Sequence, residues 1–192
     1  MVSKDLDIAI NLKRDESDFI ASCVRKERWA QQRLYEEHYG ALMSVCLRYA
    51  KDRDEAMDIL HEGYIKIFKN IAKYQPGTSL YSWMKRIVVN TAIDYYRKMV
   101  RRRTENIDEA YGLSSGDADA ISALSAMEIM DSIQRLTPSY RLVFNMYIIE
   151  GYSHRDISQK LGITESTSRS NLVKARAKLR EMIASKDMGH GA

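Results

Sequence analysis

From Leu34 to Tyr95 apolar side chains recur every three or four residues, and that period is the period of an α-helix. Three stripes follow one another. The first runs Leu34, Tyr35, Tyr39, Leu42, Met43, Cys46 and Tyr49, the second Met57, Leu60, Tyr64, Ile67, Phe68 and Ile71, and the third Leu80, Trp83, Met84, Ile87, Val88, Thr91 and Tyr95. Asp52 to Asp54 breaks the pattern and offers a helix start, while Tyr74-Gln75-Pro76-Gly77-Thr78-Ser79 has the chemistry of a turn and a fresh N-terminus. Two prolines and nine glycines in 192 residues leave few places where a helix must stop. The expected fold is therefore all-α.

The stripes predict one small helical domain over residues 19–103, after an N-terminal extension over 1–18. Residues 104–120 hold Gly112, Ser114, Ser115, Gly116 and several acids, with too little apolar content to offset the cost of ordering, and read as a flexible acidic linker. A second small helical domain is expected over 121–184, with a tail over 185–192. Leu124, Met127, Ile129, Met130, Ile133 and Leu136 supply its first helix. Thr137-Pro138 reads as an N-cap and first helical position, opening a helix that carries Leu142, Val143, Phe144, Tyr147 and Ile148 and ends at Gly151. Ser153 followed by Asp156 resembles a capping box. Gly162 then breaks the chain, Thr164 caps again, and a last helix places Leu172, Ala175, Leu179 and Ile183 on its buried side.

The net charge is only +4, and its distribution says more than its sum. Arg97, Lys98, Arg101, Arg102 and Arg103 form one basic run; Arg169, Lys174, Arg176, Lys178 and Arg180 form another. Between Thr104 and Gln134 there are acids but no lysine or arginine. Two basic regions separated by an acidic stretch suggest two nucleic-acid contacts joined by a linker.

Several classes drop out. No apolar run approaches the roughly 20 residues of a membrane span, and Met1 to Asp15 lacks the apolar core of a secretory signal, so a cytoplasmic protein is expected. Cys23 and Cys46 have neither pairing nor metal-ligand spacing and read as buried core thiols. The four histidines are scattered, with no acid or nucleophile at a telling interval, and no phosphate-binding glycine loop is present. The chain offers no catalytic set, no metal site, no cofactor site and no small-molecule substrate.

Three constellations carry function. The last two helices, with Gly162 between them, form a helix-turn-helix pattern. Arg169, Ser170, Val173 and Lys174 supply the mix of base-reading and phosphate-reaching side chains such a second helix needs, and Arg176 extends it. On the third stripe's opposite face, Lys85, Arg86, Val89, Asn90, Ile93, Asp94 and Arg97 read as an exposed nucleic-acid surface, with Tyr74, Tyr81 and Tyr96 nearby as rings for unstacked bases. One face of the second helix is acidic, with Asp54, Glu55, Asp58 and Glu62 beside Ile59, and suits a protein partner.

These segments resemble a known family. Asp54 to Phe68 resembles region 2.2 of the sigma-70 superfamily, Trp83 to Arg97 is similar to region 2.4 of its extracytoplasmic-function group, and Glu150 to Arg176 is similar to region 4.2. The resemblance implies a promoter-recognition subunit of RNA polymerase. Asp54, Glu55, Asp58, Ile59 and Glu62 would dock on the β′ clamp helices, with the β flap as a further contact on core polymerase. Asn90 with Lys85, Arg86, Val89 and Ile93 would meet the −10 element of promoter DNA. The turn Tyr74-Gln75-Pro76-Gly77 would hold a flipped base, and Arg169, Ser170, Val173, Lys174 and Arg176 would read the −35 element. The resemblance also implies an anti-sigma partner of the kind that holds many such proteins inactive. The rivals are a stand-alone helix-turn-helix regulator, which would leave the acidic helix unexplained, and a protein-binding helical adaptor.

Overall fold

The computed structural model describes residues 15–105 and 126–189. The described residues form helices and turns with no strand; the sole bridge pairs Pro76 with Thr78 inside a turn. The linker expected over 104–120 lies almost wholly outside the described residues, as do the first 14 positions and the last three.

In chain order the helices are α1 over 15–24, α2 Arg28–Tyr49, α3 Arg53–Asn70, α4 Leu80–Glu105, α5 Ala126–Gln134, α6 Pro138–Phe144, α7 His154–Leu161 and α8 Glu165–Gly189. A short 3₁₀ turn, Ile71–Lys73, follows α3, and a π turn, Asn145–Ile149, follows α6. The chain divides into two compact units. Of the described residues, one unit holds 15–46 together with Met57–Thr91; the other holds Leu47–Ala56, 92–105 and 126–189.

In the first unit, α1 ends where Lys26 adopts a left-handed backbone, φ 62°. The Lys26 N–H donates to Cys23 O and the Glu27 N–H to Ser22 O, the paired bonds of a Schellman cap that glycine usually supplies. Leu34, Leu42, Cys46, Leu60, Ile67, Met84 and Val88 are fully buried, so all three stripes do face inward. Cys23 and Cys46 are buried free thiols, and burial pushes the Cys23 thiol above its ordinary pKa. The Tyr35 and Tyr64 rings meet at 4.6 Å, and the buried Tyr64 hydroxyl donates to Tyr35 O, with its pKa pushed upward by burial. Gly63 lies against α4: a Cβ there would sit 3.1 Å from Val88 Cγ2. A side chain at that position would require Val88 to give way by a few tenths of an ångström.

The second unit includes the first turn of α3, which starts where the sequence places it. The Asp52 carboxylate accepts from the Glu55 N–H at 2.8 Å, and the Glu55 carboxylate accepts from the Lys51 N–H at 2.6 Å, a reciprocal pair that satisfies two backbone donors. Further along this unit α8 packs on α5, α6 and α7. Ile133, Leu136, Leu142, Val143, Met146, Ile157, Leu172 and Ala175 are buried. Thr137 and Pro138 occupy the N-cap and first position of α6 as expected, but the threonine side chain makes no capping bond; its carbonyl accepts from the Arg141 N–H instead. Arg141 and Asn145, both buried, donate side-chain N–H groups to the Ala50 and Arg48 carbonyls of the same unit, satisfying acceptors at a helix end. The helix that the sequence carries through to Gly151 widens after Phe144 into the π turn, which leaves Tyr147, Ile148 and Ile149 exposed.

Candidate nucleic-acid interface

The α7–α8 pair is built from caps. Ser153 and Asp156 form the expected capping box: Ser153 Oγ accepts from the Asp156 N–H at 3.1 Å, and Asp156 Oδ2 accepts from the Ser153 N–H at 3.2 Å. The hydrogen bonds from Ser153 hold the Asp156 carboxyl below the usual carboxylate range. Gly162 closes α7 in a left-handed conformation, φ 68°, that a β-carbon would strain. Thr164 Oγ1 then accepts from the Thr167 N–H at 3.1 Å and opens α8.

This short turn sets which face of α8 points outward. Ser168, Leu172 and Ala175 are buried, and Leu179 and Ile183 are partly covered. Arg169, Ser170, Val173, Lys174 and Arg176 are all exposed, Val173 at 66%. An isolated valine that far into solvent, flanked by cations, suits contact with a thymine methyl in a groove. The Arg169 guanidinium lies 2.7 Å from the Glu165 carboxylate one turn earlier, an exposed pair of small worth that the arginine can leave at little cost. Behind this face, the His154 ring on α7 is 2.9 Å from the buried Ser168 hydroxyl and stacks on Tyr147 at 4.4 Å. Burial, and then the Arg169 charge, lower the His154 pKa.

Helix α4 departs from its expectation. Val89 and Ile93 are buried, at 2% and 3% exposure, and cannot present side chains to nucleic acid. The reason is the width of the stripe: Met84, Val88, Val89, Thr91, Ala92 and Ile93 are all buried, so α4 is covered on far more than one narrow face. The polar members remain accessible. Arg86 and Arg97 are exposed, and Lys85, Asn90 and Asp94 are half-buried with polar partners of their own.

The turn before α4 is ordered from inside. The Tyr74 ring is buried, at 4% exposure, and packs on Trp83 at 5.7 Å, so it is no stacking platform for a base. Gln75, Pro76 and Gly77 are exposed. Trp83, expected in the core, is half-buried.

On α3, Asp54 and Asp58 are exposed and Glu62 is half-buried, its carboxylate 3.2 Å from Lys66 Nζ. Ile59 is buried at 2% and leaves the expected partner surface; Glu55 is half-buried and engaged in the α3 cap. The apolar residue on the acidic face is Ile65, at 53% exposure, three positions after Glu62 and seven after Asp58. That spacing is present in the sequence; the apolar character of both isoleucines masks it.

Among the described residues no group of three His, Cys, Asp or Glu could hold a metal ion, and no helix is long and apolar enough to cross a membrane.

Comparison with known proteins assigns the two parts of the chain. Residues 34–103 match Sigma-70 region 2 and residues 126–179 match Sigma-70, region 4. The chain is 23% identical over 171 residues to the ECF RNA polymerase sigma factor SigM of Mycobacterium tuberculosis, covering 89% of this chain and 86% of that one. It is 29% identical over 157 residues to the ECF RNA polymerase sigma factor SigE of Mycolicibacterium smegmatis, covering 79% of this chain and 60% of that one. To the RNA polymerase sigma factor SigZ of Bacillus subtilis it is 26% identical over 152 residues, covering 78% and 85% respectively.

Proposed function

Because this chain belongs to the sigma-70 family, we propose that it is a promoter-recognition subunit of the extracytoplasmic-function type, which binds core RNA polymerase and reads −35 and −10 elements as transcription begins. The observation that carries this reading is the presence of regions 2 and 4 in order on one chain, the second presenting Arg169, Ser170, Val173 and Lys174 outward.

In this reading α8 enters the major groove of the −35 element, with Arg169 reading a base edge and Lys174 and Arg176 reaching phosphate. Asn90, Lys85 and Arg86 on α4 meet the −10 element as it opens, and the exposed turn Gln75-Pro76-Gly77 receives an unstacked base. Asp54, Asp58, Glu62 and Ile65 on α3 dock on the polymerase clamp, an acidic rim around one apolar anchor. Bond-making chemistry stays with the polymerase, and the protein works in the cytoplasm where that enzyme is.

The test is in vitro transcription of genomic fragments by core polymerase with and without the protein, mapping RNA 5′ ends. New starts that share two spaced upstream elements are expected. Binding to core without new starts would favour a protein-binding adaptor, and neither binding nor redirection would favour an independent operator-binding regulator. Asp58→Lys combined with Glu62→Lys separates the last case further, since a sigma factor should lose core binding and an independent regulator should not.

A further inference from the structure

A single carboxylate from α1 organises the turn ahead of α4. Glu16 Oε1 accepts from the Tyr74 hydroxyl at 2.7 Å, and Glu16 Oε2 accepts from the Gly77 N–H at 2.8 Å, so the two oxygens grip both ends of the turn. The turn has little else to hold it. Gln75, Pro76 and Gly77 are exposed, Gly77 sits at φ 88°, and the remaining bonds are local: Thr78 donates its N–H and hydroxyl to Gln75 O, and Thr78 O lies 2.5 Å from the Tyr74 hydroxyl. Tyr74 itself is fixed by burial against Trp83, and α1 by the burial of Ile20, Ser22 and Cys23. Glu16 therefore joins two anchored points through the one exposed segment between them. With the Gly77 N–H engaged and the Gln75 carbonyl already doubly bonded, the exposed Gln75 side-chain amide offers the turn both a donor and an acceptor toward a base.

We propose that Glu16 is a positioning residue of base recognition, holding the 74–78 turn in the shape that receives an unstacked promoter base. This rests on the reading of the turn given above. Charged hydrogen bonds to backbone and hydroxyl donors are the strong ones, and a turn of this length has too few internal bonds to keep one shape without them.

The test uses holoenzyme reconstituted from core polymerase and the full chain, binding a labelled single-stranded non-template −10 oligonucleotide in which each nucleotide is made abasic in turn. Wild type should lose about 10-fold in affinity at one position, the size expected from losing one captured base. Gln75→Ala and Glu16→Ala should each reduce that penalty to below about 2-fold at the same position while leaving the other positions and core affinity unchanged. Glu16→Gln, isosteric but able to accept at only one of its two atoms, should fall between wild type and Glu16→Ala.

If Gln75→Ala abolishes the penalty and neither Glu16 variant does, the proposal is overturned and the turn keeps its role. If both Glu16 variants weaken binding equally at every position and lower the melting temperature, Glu16 is only a structural support, which also overturns it. If no abasic position responds to Gln75→Ala, the turn does not receive a base and the underlying reading falls first.

Discussion

Helices α4 and α8 each carry β-branched residues among lysines and arginines, yet they treat them in opposite ways. On α4 the buried positions Met84, Val88, Val89, Thr91, Ala92 and Ile93 cover an arc of about 200° at 3.6 residues per turn. On α8 the buried positions Ser168, Leu172 and Ala175 cover about 60°. A helix enclosed over half its circumference takes its apolar residues into the core and leaves polar side chains such as Asn90 and Arg86 accessible. A helix packed along one narrow seam leaves Val173 in solvent, where the reading proposed for α8 can use it as an apolar contact. A valine between cations therefore identifies a reading face only after the width of the buried arc is known.

Four experiments test this contrast. The largest effect should come from Val89→Asp, which places an unpaired charge in the core and should cost about 4 kcal/mol in urea unfolding, while Val173→Asp stays within about 0.5 kcal/mol. Equal tolerance at the two sites would erase the distinction. Next, Gly63→Leu forces a side chain into the 3.1 Å approach to Val88 and should destabilise by about 3 kcal/mol through overpacking. A neutral result would mean that α4 is less enclosed than its buried arc indicates.

Arg169→Ala should change stability little, because the contact it removes is an exposed pair with Glu165, but should change promoter preference at one or two −35 positions by about 1–3 kcal/mol in a competition binding series. Uniform weakening across sequences would move Arg169 from base to phosphate contact.

The smallest effect is a pH dependence at the α7–α8 joint. His154, set against Ser168 and Tyr147 and within the field of Arg169, Glu165 and Arg176, has its pKa lowered below the ordinary 6.5, chiefly by burial. The unfolded chain then takes up a proton at a pH where the folded chain does not. Stability should fall as pH drops below 6.5 and level off once the folded pKa is passed. Comparison of wild type with His154→Gln over that window isolates this contribution, and parallel curves for the two proteins would show that the histidine carries none of it.

Much of the fold is legible in the sequence because local chemistry and helical period agree. The caps at Asp52, Ser153 and Thr164 form where their side chains stand in the sequence, since each reaches a backbone donor only three residues away. The exposed set on α8 is legible for a similar reason: one narrow seam divides that helix cleanly. Where sequence and structure part, they part over sides. Ile59 and Ile65 on α3 are chemically alike: adjacency to Asp58 suggests Ile59, whereas the helical period puts Ile65 among Asp54, Asp58 and Glu62, and burial follows the period; the cationic neighbours of Val89 and Ile93 on α4 suggest solvent, and the two side chains are buried. A turn residue is usually accessible, whereas the Tyr74 ring anchors its turn from within.

By itself, then, the sequence determined that this protein is helical, where most of its helices begin, and which two stretches match the regions of a sigma factor, because those properties depend on residues within a few positions of one another. Only the tertiary structure decided which apolar side chains enter the core and that Glu16 grips Tyr74 and Gly77, 58 and 61 residues further on. Burial and long-range hydrogen bonds depend on which elements become neighbours, and a one-dimensional period carries the direction of a helix face without the number of partners that will cover it.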